Sequence, residues 1–140
     1  MAHVITTQKI VDGDKITVVK YNIKGDAGTA AELVDATLFD ASAFKTGSVY
    51  NKIMEIEYCL NGFSAELFWD ATSAVPIMSL AKDRPTKSEF WDIGGLVNNG
   101  AAANVTGDIN ITTKGLISST NDGYIIFYIL ERKVRKFTTT

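Results

Sequence analysis

Six glycine pairs punctuate the chain at short intervals: Asp12-Gly13, Gly25-Asp26, Asn61-Gly62, Gly94-Gly95, Asn99-Gly100 and Asp122-Gly123. Each suits a turn that needs positive φ, and the spacing leaves room for strands more readily than for long helices. Between the turns, Lys15 to Lys24, Tyr50 to Leu60, Phe63 to Asp70, Val105 to Thr113 and Tyr124 to Val134 are rich in β-branched and aromatic residues. Those five segments are expected to be strands. Thr29 to Asp35 and Ser88 to Ile93 offer at most one or two helical turns each, too little to organise a fold. The expectation is an all-β chain: an antiparallel β-sandwich of jelly-roll type, with a closed barrel as the alternative.

Asn61-Gly62 suggests a two-residue type I′ hairpin, which would fix a register with Leu60 facing Phe63, Tyr58 facing Ala65, Ile56 facing Leu67 and Met54 facing Trp69. That face is apolar throughout and is expected to be core. The reverse face would pair Cys59 with Ser64, Glu57 with Glu66 and Glu55 with Phe68. Carboxylates opposed at about 5 Å repel by about 0.8 kcal/mol in water and by far more when buried. A Glu57–Glu66 pair is therefore tolerable only if wet, protonated or facing a cation, which makes Glu55, Glu57 and Glu66 either a solvated outer face or a contact for a basic partner. The run Tyr124 to Leu130 is apolar on both alternating faces, so it belongs at the centre of a sheet or beneath a partner.

A chain of 140 residues, 46% hydrophobic and 21% charged, suits one folded domain spanning 1–140. The net charge of -2 argues against nucleic acid or an anionic membrane as partner. Met1 to Thr7 lack the basic and apolar segments of a secretory leader, and no apolar run approaches about 18 residues, so the product is expected to be made in the cytoplasm. The basic end, Arg132, Lys133, Arg135 and Lys136, forms a short tail over 133–140 that is expected to make a protein contact or to solvate the terminus. Asn98 to Asn104 is a run of small residues expected to lie on the surface as a loop.

Catalytic chemistry finds little support. His3 stands two residues from the start, where order is least expected, and Cys59 has apolar neighbours and is expected to act as a small hydrophobe. A lone cysteine excludes an internal disulfide and four-cysteine zinc sites. Asp12-Gly13-Asp14 begins like a calcium loop, but the later ligand positions do not follow, and no phosphate-binding glycine motif occurs. No cofactor, metal or catalytic residue is expected. Trp69, Trp91 and the tyrosines keep a carbohydrate-binding module open, although both tryptophans are expected in the core.

Phe68-Trp69-Asp70-Ala71-Thr72, Gly94-Gly95-Leu96, Thr106-Gly107-Asp108-Ile109 with Thr112-Thr113, and Gly123-Tyr124-Ile125-Ile126 leading to Leu130-Glu131-Arg132-Lys133 occur in this order. Together they resemble small β-rich virion structural proteins of tailed bacteriophages, chiefly over the second half of the chain. The resemblance implies a capsid decoration (cement) protein or a tail, neck or baseplate component. It further implies a place in the virion, the major capsid protein or another virion protein as partner, and a homo-oligomer, with a trimer favoured.

Overall fold

The computed structural model describes residues 4–13, 15–25, 32–44, 51–97, 106–116 and 121–131. These contain the strands β1 (Val4–Asp12), β2 (Ile16–Lys24), β3 (Ala36–Phe39), β4 (Asn51–Asn61), β5 (Ser64–Trp69), β6 (Val75–Leu80), β7 (Thr86–Glu89), β8 (Leu96–Val97), β9 (Ile109–Lys114) and β10 (Asp122–Glu131). The five strands expected from sequence overlap β2, β4, β5, β9 and β10, with β9 starting only at Ile109 and with residues 50, 105 and 132–134 of the expected spans outside the described residues. The others are short or carry mixed patterns: β1 exposes almost every residue, so burial imposed no alternation on it. Of the expected helical turns, Ser88 to Ile93 divides into the end of β7 and a 3-10 turn over Trp91–Ile93. Of Thr29 to Asp35, residues 29–31 lie outside the described residues, and 32–35 are not helical and run beside β9, where Leu33 N–H donates to Thr113 Oγ1 at 3.0 Å.

The strands form two sheets. The first has the order β1-β2-β10-β4-β7, with β8 also pairing β4, and the second the order β3-β9-β5-β6. Every ladder between named strands is antiparallel. The two apolar faces meet in one core: Val19, Tyr21 and Ile23 of β2, Ile125, Phe127 and Ile129 of β10, and Ile56, Tyr58 and Leu60 of β4 lie against Leu67 and Trp69 of β5 and Ile109 and Ile111 of β9. This is an all-β sandwich, as expected. β10 occupies the centre of the first sheet between β2 and β4, the first of the two places its apolar faces allow.

The hairpin at Asn61-Gly62 is not formed. The chain leaves the first sheet at Asn61 and enters the second at Ser64, with Phe63 fully buried at the crossing. Gly62 does take positive φ (+80°), and its N–H donates to Asp83 Oδ1 at 2.7 Å. The glycine signal was thus correct at Gly62 alone: Asn61, which a type I′ turn would also set at positive φ, stays in β4, and the pairing is absent. β10 takes one edge of β4, while β7 and β8 take successive lengths of the other, so β4 has no edge left for β5. Side-chain alternation could not reveal this, because two facing sheets turn alternate residues inward just as a hairpin does. Met54 is the extra residue of a bulge in β4 opposite β10; it is buried beside Gly95 and lies outside the central cluster.

Candidate contact surface

With odd-numbered β10 residues turned into the core, Tyr124, Ile126, Tyr128 and Leu130 face outward, and the ladder aligns them with their neighbours in rows. One row runs Val11, Val18, Tyr128, Glu55, Glu89; the next runs Gln8, Lys20, Ile126, Glu57, Lys87; a third runs Thr6, Asn22, Tyr124, Cys59. The outer face of the first sheet therefore grades from an apolar end, with Val11 44% and Ile16 46% exposed, to a polar one. Trp91, in the 3-10 turn after β7, closes the first row: its Nε1–H donates to Glu55 Oε1 at 2.6 Å while the residue stays 47% exposed.

The Glu57–Glu66 opposition does not exist, because the two residues lie in different sheets. Glu57 faces Lys87, and Glu66 sits between Ser79 and Thr112 on the outside of the second sheet. A carboxylate pair does occur across a ladder, between Glu55 and Glu89. It is relieved by a cation, since Lys87 Nζ stands 3.8 Å from Glu55 and 3.2 Å from Glu89. The hydrogen bond to Glu89, reinforced by the charge of Glu55, raises the Lys87 pKa. The structure thus joins Glu55 and Glu57 in one surface and separates Glu66 from them. Arg132, Lys133, Arg135 and Lys136, the loop at Asn98 to Asn104, and His3 lie outside the described residues.

Trp91, expected in the core with Trp69, is instead exposed, while Trp69 is buried as expected. The turn after β7 divides the adjacent aromatics: Phe90 packs on the core and Trp91, at the start of the 3-10 turn, faces out. Cys59 lies on the outward face, as the alternation of β4 indicates, but opposite Tyr124 instead of Ser64; it is half-buried, with Sγ 3.8 Å from Asn61 Oδ1.

A second polar group lies at one end of the β3-β9-β5-β6 sheet. Asn110 Nδ2 donates to Asp35 Oδ1 (3.1 Å) and Asp70 Oδ1 (3.2 Å), Thr106 Oγ1 donates to Asp70 Oδ2 (2.8 Å), and Ala41 N–H donates to Asp108 Oδ1 (2.8 Å). Desolvation raises the Asp108 pKa, with Asp40 and Asp70 adding to the rise against the Ala41 hydrogen bond. A carboxylate whose folded pKa is raised holds its proton more tightly when folded, so its contribution to stability falls as pH climbs from the unfolded pKa through the folded one. Asp108→Asn retains an acceptor for Ala41 N–H and removes that penalty. It is expected to leave stability at neutral pH equal or slightly higher and to flatten its decline above acidic pH, read by urea denaturation across pH. Lower stability at neutral pH would show that the charge itself is needed.

Among the described residues, no three His, Cys, Asp or Glu side chains are grouped to hold a metal. The Tyr21 hydroxyl is kept protonated by burial, with Asp40 and Asp108 raising its pKa further. No family model, curated protein or solved structure matches this chain.

Proposed function

We propose that this protein is a non-enzymatic virion structural protein that decorates a phage capsid, and that the outer face of the first sheet is its contact surface. The observation that carries the reading is the apolar end of that face, where Val11, Ile16 and Trp91 remain exposed around Tyr128. Exposed apolar residues clustered beside charged ones are typical of protein contact sites. Strand order supports the jelly-roll form: β2-β10-β4-β7 packs on β3-β9-β5-β6, and only the β5–β6 link among these joins partners within a sheet. That eight-strand arrangement recurs in viral capsid and lectin domains, a correspondence of architecture.

The test mixes purified protein with shells stripped of it. Saturable, stoichiometric binding with better shell survival on heating or dilution supports decoration; no binding to shells, with the protein found along the tail, favours a tail, neck or baseplate component. Trp91→Ala is expected to weaken shell binding by about tenfold or more while leaving the melting temperature unchanged, because an exposed aromatic anchors a contact without stabilising the core. Equal binding by this variant would place the contact elsewhere. The exposure of Trp91 also favours a second reading, carbohydrate binding on the same face, with Trp91 as a stacking platform beside Glu55. Glycan-dependent change in Trp91 fluorescence separates the two.

A further inference from the structure

β1 is an edge strand of unusual openness. Nine residues long, about 30 Å of backbone, it pairs β2 on one side, and among the described residues nothing pairs the other. Sheet edges left in this condition invite another strand, and proteins ordinarily blunt them with proline, charge, bulges or short length. The other edges here are blunted. β7 has four residues bearing Lys87 and Glu89, β8 has two, β3 has four with a bulge, and β6 carries Pro76 and a bulge. In β1 the stretch Val4-Ile5-Thr6-Thr7-Gln8 has no charge and no proline, and its bulge falls beyond it, between Lys9 and Val11.

We propose that the Val4–Gln8 edge of β1 pairs with the same edge of a second copy of the chain, antiparallel about a two-fold axis, joining the two large sheets into one. An antiparallel edge is self-complementary, because each copy supplies the donors and acceptors the other lacks. Charge allows it. With the axis through Thr6, Thr6 meets Thr6 of the second copy and Val4 meets Gln8; with the axis through Thr7, Thr6 meets Gln8 and Ile5 meets Lys9. In neither register do two lysines oppose. Lys9 is in any case drawn back onto its own chain, its Nζ 2.7 Å from Ala43 O and over the Phe44 ring. Pairing also shelters Val4, 56% exposed in the single copy. The seam gives two-fold symmetry in place of the trimer that the phage resemblance implies, and it does not depend on what the outer face binds.

Sedimentation of the full chain over a dilution series is expected to show a monomer–dimer equilibrium. Thr6→Lys/Gln8→Lys, both at exposed positions, sets four lysines along the seam and is expected to weaken the dimer by about tenfold or more, whereas Ser79→Lys on the β6 edge leaves it unchanged. In a Cys59→Ser background, Thr6→Cys or Thr7→Cys is expected to form an intermolecular disulfide under mild oxidation, the reactive position reporting the register. A parent that stays monomeric at every concentration overturns the proposal, as does a dimer insensitive to the lysines or one that neither cysteine captures. The cysteine result stands as the readout should the lysine variant fail to fold.

Discussion

Replacing Trp69 with alanine is expected to lower the unfolding free energy by about 3–5 kcal/mol, since it removes a large ring from a close-packed interior and leaves a cavity. Trp69 is 2% exposed and lies at the end of β5, with Val75 and Ile109 as its ladder partners and the core of the opposite sheet beneath it. Neighbouring strands cannot close over the gap without breaking their own hydrogen bonds. Urea denaturation gives the loss, and fluorescence identifies the residue: the variant should retain only the red-shifted emission of half-exposed Trp91. A midpoint equal to the parent's would mean that the ring is not buried in solution.

Gly123→Val is expected to cost roughly 2 to 3 kcal/mol, for the opposite reason of overcrowding. Gly123 stands near the start of β10, between Ile23 of β2 and Leu60 of β4. A Cβ at this position would lie 2.6 Å from Cys59 O, 2.9 Å from Leu60 Cδ2 and 3.0 Å from Leu60 Cα. Two of these atoms are backbone in the neighbouring strand, so relief requires parting β4 from β10. Gly94→Ala provides the contrast: nothing lies within 4 Å of its Cβ position, and only the positive φ of +80° resists, a cost of about 1 kcal/mol. If the two variants melted alike, close contact between β10 and β4 would not be what requires glycine at 123.

Much of the core was legible in the chain. Ile56, Tyr58, Leu60, Ala65, Leu67 and Trp69 were expected to face inward and all lie in the core; Met54, expected with them, is buried at the bulge outside it. The site was legible only in part: Glu55 and Glu57 share the outer face as expected, but their cation, Lys87, and their aromatic neighbour, Trp91, come from the β7 region, whose four-residue strand has no apolar alternation to mark it.

Sequence by itself determined the β class, the inward residues of β4 and β5 apart from the bulge at Met54, and the positive φ at Gly62, and it narrowed Tyr124 to Leu130 to the centre of a sheet or the cover of a partner, because side-chain period and steric freedom are local properties. Only tertiary structure decided which strand lies beside which. β4 and β5 show the reason: an apolar face is buried equally well against a sheet across the core whichever strands flank it, so pairing is settled by competition for edges among segments far apart in the chain. Once β10, β7 and β8 had taken both edges of β4, Glu66 was carried to the far side of the sandwich, Lys87 was set between Glu55 and Glu89, and β1 was left with its outer edge open.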